Sequence, residues 1–173
     1  MNMTLCVARA APALARAPEL VGVGAWGVAT NGQLMTLALG SCVAVCLFDA
    51  GATVGGLLHF LLPEARVDPV QARARPGMFA DAAMPLFCDD IIRAGGRRTQ
   101  LRAKLIGGAS LHNAPAALEI GKRNVLAARR WLWQAGILVV VEDTGGAISR
   151  SIVCHTASGL VRLTSPGLTA REL

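Results

Sequence analysis

Two apolar runs, VAVCLFD (43–49) and ATVGGLLHFLLPE (52–64), are separated by the turn-forming Asp49-Ala50-Gly51. Short runs rich in β-branched and aromatic residues and bounded by glycine read as strands, and so tight a connection makes them an antiparallel hairpin. The remaining pattern is of the same kind. ELVGVGAWGVAT (19–30) reads as a strand ending at the Thr30-Asn31-Gly32 turn, with QLMTLALG returning as its partner. LRAKLIGGAS is a strand running into a glycine turn. ILVVVED is a near-continuous apolar strand, as expected where both faces are covered. SIVCHT and LVRLTS form a second hairpin about Ala157-Ser158-Gly159.

Two helices interrupt the strands. MFADAAMPLFCDDIIRAGG closes at Gly95-Gly96, with Pro85 either kinking it or marking a late start. LEIGKRNVLAARRWLWQAG places Ile120, Asn124, Ala128, Trp131 and Ala135 on one side and stops at Gly136. Residues 65–77, polar and proline-bearing, read as a loop. The expected class is α/β or α+β, one domain built on sheet layers.

With 173 residues, 53% hydrophobic and 16% charged, the chain can bury a real core and is not disordered as a whole. Residues 1–18, rich in Ala, Arg and Pro, read as a poorly ordered leader, and Arg9 and Arg16 break any apolar core that a secretory signal would need. The longest apolar stretches, such as Val54 to Pro63, are too short to span a bilayer. The net charge of +6 is spread along the chain without a nucleic-acid motif, and the absence of Tyr argues against a stacking platform. Five cysteines without paired spacing suit reduced thiols in the cytoplasm better than a disulfide framework.

Gly22-Val23-Gly24-Ala25-Trp26-Gly27 matches G-x-G-x-x-G, but β-branched and turn-forming residues follow where a dinucleotide site needs a helix. A zinc set drawn from Cys42, Cys46, Cys88, Cys154, His112 and His155 lacks ligand spacing. Met35 and Phe48 are core by default, and Glu142-Asp143 before Thr144-Gly145-Gly146 suits a turn cap.

The chemistry-bearing stretch is LGSCVAVC (39–46). Gly40 lets the backbone turn sharply, and amides around Ser41 and Cys42 could then face a bound carbonyl. His59 lies 17 residues after Cys42. Pairing the hairpin about Asp49 to Thr53 sets Cys42 opposite residue 60, within one position of His59. A thiol and an imidazole then share one end of a sheet, as a nucleophile and base require. By periodicity alone, His59 is a core histidine and Cys42 a small buried hydrophobe. Cys46 shares the face of Cys42 but sits roughly 13 Å along the strand, too far for a disulfide, and reads as core.

TLALGSCVAVCLFD, GGLLHFLLPE, FADAAMPLF, AKLIGGASLH, EIGKRNV and VVVEDTGGAISR resemble, in order, the blocks of the CheD family of bacterial chemotaxis deamidases, from about Gly22 to Val161. The resemblance implies a layered β-sandwich flanked by helices, the fold shared with the catalytic domain of cytotoxic necrotizing factors. The CheD-like domain would cover 19–165, with 166–173 as a tail. It implies deamidation of glutamines on methyl-accepting chemotaxis receptors, with Cys42 as nucleophile, His59 as base and Thr36 as third member. It implies no metal or organic cofactor, and it adds the phosphatase CheC as a possible second partner. A non-catalytic adaptor that docks on receptors or CheC is the alternative. The chain departs from the family pattern at Ser149, where the GG-x-x-G-R block has glycine, at GGASLH, and at FAD.

Overall fold

A computed structural model describes residues 17–110 and 119–173. The expected leader falls almost wholly outside these residues. In chain order the elements are β1 (Glu19–Leu20), β2 (Ala25–Thr30), β3 (Gln33–Leu39), β4 (Val43–Asp49), β5 (Val54–Phe60), α1 (Pro69–Ala74), α2 (Ala80–Arg93), β6 (Arg102–Gly107), α3 (Ile120–Gln134), β7 (Leu138–Thr144), β8 (Arg150–His155), β9 (Val161–Thr164) and β10 (Arg171–Glu172).

The strands form two five-stranded sheets, one in the order β1-β3-β8-β9-β10, the other β2-β5-β4-β6-β7. All seven residues of β4 and of β5 are buried, because the middle of the second sheet is covered on both faces. Strand alternation divides the burial. Val43, Val45, Leu47, Leu58 and Phe60 pack with Ala83, Phe87 and Ile91 of α2 and with Val125, Ala128 and Leu132 of α3. Ala44, Cys46, Leu57 and Ile106 face Leu34, Leu39, Ile152, Cys154 and Val161 of the first sheet. The result is the expected α+β layering of sheet on sheet with helices outside. Among the described residues no helix is long and apolar enough to cross a membrane.

The β4–β5 hairpin forms as read, shifted by one place. Val43 pairs with Phe60, and Ala44 with His59. Asp49 sets that register, its carboxylate accepting from the amides of Gly51, Ala52 and Arg97 and from the Arg97 guanidinium. Those donors, the guanidinium first, hold its carboxyl well below the usual carboxylate range. A slip of one residue would turn His59 to the helix side, so this turn decides which layer His59 faces.

Other expectations need correction. QLMTLALG does not return as the partner of 25–30: β2 pairs with β5 in one sheet, while β3 pairs with β1 and β8 in the other. Asn31 takes a left-handed conformation (φ 49°), and Gly32 bonds to Thr156, so the turn carries the chain between layers. The 19–30 stretch is broken at Val23-Gly24 for the same reason. Residues 65–77 hold a short helix, α1, capped by Asp68 with Pro69 in its first turn. Pro85 lies inside α2. β7 is an edge strand with Leu138 and Val140 exposed, not a strand covered on both faces. Met35 is only half-buried, whereas Phe48 is core as expected. Within 166–173, β10 pairs with β9.

Gly55 and Gly56 let the neighbouring strands and α2 come close to β5. A Cβ on Gly56 would lie 2.5 Å from the Phe87 ring and 2.6 Å from the Gly27 carbonyl; one on Gly55, 2.7 Å from the Leu47 carbonyl. Glycine weakens a strand by about 0.5–1 kcal/mol relative to alanine, so propensity alone predicts that Gly56→Ala stabilises. Overpacking against backbone and a buried ring costs about 1–3 kcal/mol and should win. Urea unfolding of Gly56→Ala is therefore expected to show a net loss of stability, and a gain would contradict this packing.

Candidate active site

β3 ends in one sheet and β4 begins in the other, so Gly40-Ser41-Cys42 is a crossing between layers. A β-bulge prepares it. Thr36 pairs with Ile152, but the next partner of the register, Leu39, pairs with Arg150. Leu37 is expelled to solvent, and Ala38 takes a left-handed conformation (φ 54°) with its amide on the Ser151 hydroxyl. Such a conformation is strained for alanine and is held by its surroundings.

Main-chain bonds clamp the crossing from the far side. Gly108 donates to the Cys42 carbonyl and Ala109 to the Gly40 carbonyl, each at 2.8 Å. Gly107 (φ 111°) must be glycine, since a Cβ there would sit 2.4 Å from the Cys42 carbonyl oxygen. The side-chain amide of Asn124, on α3, donates to the carbonyls of Ser41 and Leu61 at 2.9 and 2.8 Å.

Ala44 faces the inter-sheet layer, so Cys42, two residues earlier, and His59, directly opposite Ala44, share that face. Thr36 reaches the same layer from the first sheet. Its hydroxyl lies 2.7 Å from His59 Nδ1 and donates to the Val21 carbonyl, also at 2.7 Å. The hydroxyl has one proton, and a carbonyl can only accept. Thr36 therefore accepts from His59, which places the ring proton on Nδ1 and leaves a lone pair on Nε2. That nitrogen is buried and has no hydrogen-bond partner among the described residues.

Burial drives both groups toward neutrality. His59 is 2% exposed, and desolvation lowers its pKa to about 4, with the Val21 carbonyl offsetting a part. Burial likewise pushes the half-buried Cys42 thiol up, against a smaller opposing effect of its own amide. The resting pair is thiol and imidazole, and the geometry suits a base that takes the proton as attack occurs. Cys46, in contrast, is fully buried in the inter-sheet core; the Cys154 thiol beside it and desolvation push its pKa well up. Of the residues weighed as metal ligands, Cys88 lies in α2, Cys154 and His155 in β8, and His112 falls outside the described residues.

Two participants were not named by spacing. Val21 acts through its main chain, which no side-chain pattern reveals. It precedes the Gly22-to-Gly27 decoy, whose first residues make a turn: β2 rather than a helix begins within it, at Ala25, and the Gly24 amide bonds the His59 carbonyl at 2.7 Å. Asn124 did leave a signal, a lone polar residue on the apolar side of α3.

Comparison with known proteins gives consistent matches. Residues 61–165 match the family described as "CheD chemotactic sensory transduction". A "Probable chemoreceptor glutamine deamidase CheD" of Solibacter usitatus is 41% identical over 82% of this chain and 83% of its own length. Proteins of the same name from Syntrophotalea carbinolica and Pyrococcus horikoshii are 38% and 40% identical, over 86% and 83% of this chain and 94% and 89% of theirs. Alignments covering so much of the chain take in Thr36 to His59 wherever they begin.

Imidazole ¹⁵N NMR of the folded chain is expected to show His59 neutral at pH 7, protonated on Nδ1, and charging only near pH 4. An unfolded histidine titrates near about 6.5. The unfolded state thus binds more protons between these values, and His59 makes the fold lose stability as pH falls through that window. A ring charged at pH 6 or protonated on Nε2 would overturn the assignment.

Proposed function

The chain belongs to the CheD family, and from that premise we propose that it converts glutamine side chains of chemotaxis receptors to glutamate by cysteine catalysis. The observation that carries the mechanism is the buried Thr36–His59 hydrogen bond, which leaves Nε2 unpartnered on the sheet face shared with Cys42.

In this reading the Cys42 thiol gives its proton to His59 Nε2 as sulfur bonds to the side-chain amide carbon of the receptor glutamine. Negative charge moves to the amide oxygen, where main-chain amides of the Gly40-Ser41-Cys42 crossing receive it. The imidazolium then protonates the amide nitrogen, the C–N bond breaks, and ammonia leaves a thioester. Water, deprotonated by His59, attacks the thioester. The C–S bond breaks, glutamate departs, and the thiol is restored. Thr36 keeps Nδ1–H directed and accepts from the imidazolium, as a carboxylate does in other triads, although a neutral hydroxyl stabilises that charge less.

The resemblance adds CheC as a second partner competing at the same surface. The adaptor alternative differs in one respect, since binding would persist without turnover.

The deciding assay follows Gln-to-Glu conversion in peptides of a receptor cytoplasmic fragment by mass spectrometry. Wild type is expected to convert. Cys42→Ala should fall by more than about 10³-fold, and His59→Ala by about 10²–10⁴-fold. Undiminished conversion by Cys42→Ala would sink the mechanism, and a wild type that binds receptor but converts nothing would favour the adaptor.

A further inference from the structure

Asn124 has no accessible surface, although its neighbours on the buried stripe of α3, Gly121, Val125, Ala128 and Leu132, are apolar. Both hydrogens of its side-chain amide are committed to main-chain carbonyls on separate parts of the chain, Ser41 and Leu61. Ser41 immediately precedes Cys42, and Leu61 follows His59 by two residues. One side chain therefore fastens the crossing that bears the thiol to the strand that bears the imidazole. Its own oxygen stays buried without a partner among the described residues, which a residue chosen only to fill space would not incur.

The direction of the Ser41 carbonyl has a second effect. In a planar trans peptide the carbonyl of Ser41 and the N–H of Cys42 point to opposite sides, and no peptide here is cis. Drawing the carbonyl toward α3 turns the Cys42 N–H away from it. Among the described residues that N–H donates to no main-chain carbonyl.

We propose that Asn124 is a positioning residue for deamidation: through the Ser41 and Leu61 carbonyls it sets the spacing of Cys42 and His59 and presents the Cys42 amide to the oxyanion. It touches neither substrate nor reacting atoms. The inference rests on the deamidase reading, but its test has a readout of its own.

The full chain is compared as wild type, Asn124→Ala and Leu132→Ala, the last a buried change lower on the same helix. Well below the melting temperatures of all three, Asn124→Ala is expected to lose about 100-fold in kcat, with KM within threefold of wild type. Leu132→Ala should keep kcat within threefold even if its melting temperature drops further. The second readout is the pH profile of Cys42 alkylation by iodoacetamide, followed on the Cys42 peptide. In Asn124→Ala it should move toward that of His59→Ala, while in Leu132→Ala it should stay at wild type. Retained kcat, a loss confined to KM, or an unchanged alkylation profile would each overturn the proposal. If wild type shows no turnover, the deamidase reading fails and the alkylation profile alone decides. Should Asn124→Ala not fold, Asn124→Ser, too short to reach both carbonyls, is read by the same criteria.

Discussion

The hydrogen bond between Thr36 and His59 is a polar bridge between two sheets whose facing surfaces are mostly apolar, with the buried Lys104 reaching the Leu173 carbonyl elsewhere in the same layer. A buried imidazole and a buried hydroxyl in that layer must satisfy each other or destabilise the fold. The arrangement therefore fixes the stacking of the sheets and the chemistry of the ring together. The Val21 carbonyl completes it, since by taking the only proton of Thr36 it decides which nitrogen of His59 carries hydrogen. Three elements from two layers must coincide, and each is placed by a different device: β5 by the Asp49 turn, β3 by the bulge, and Val21 by the glycine turn that follows it.

Local features of this scheme were legible in the sequence, while those created between layers were not. The β4–β5 hairpin could be read because its two strands are contiguous and its turn is short, so Cys42 and His59 fall near one another by counting along the chain. The partner of β3 could not be read that way. A two-residue Asn-Gly turn between alternating strands is a strong hairpin signal, yet here it joins different sheets, because Thr156 and Thr53 anchor it from either side. β7 misled for a related reason. Its apolar run matches a strand buried on both faces, but the sheet ends there and one face stays open. Asn124 stood in plain view on an apolar stripe, and only the fold shows which carbonyls it meets.

Neutral resting states for both Cys42 and His59 follow from placing them between sheets, and they shape how such a site can react. A preformed thiolate–imidazolium pair would require charge to persist in a layer that disfavours it. In the proposed mechanism, coupling proton transfer to attack would avoid that, because the developing charge would pass at once to the substrate oxygen and the main-chain amides. The same desolvation that depresses His59 also protects a thiol from indiscriminate oxidation, which depends on thiolate character.

The crossing at Cys42 is the innermost of three loops stacked through main-chain bonds. Gly108 and Ala109 hold Cys42 and Gly40; Gly145 in turn donates to the Gly107 carbonyl, and Ser110 to that of Gly146. Arg150 secures the outer loop through Asp143 and the carbonyls of Gly145 and Ile148. Backbone conformation explains why Ser149 can stand where the family pattern has glycine. Gly145 and Gly146 take positive φ and need glycine's freedom, whereas Ser149 does not. Ser149 directly precedes Arg150, which pairs with Leu39 at the start of the Cys42 crossing and ties down the Ile148 carbonyl. A side chain at 149 therefore meets no backbone strain, while Gly108 and Ala109 hold the Cys42 and Gly40 carbonyls.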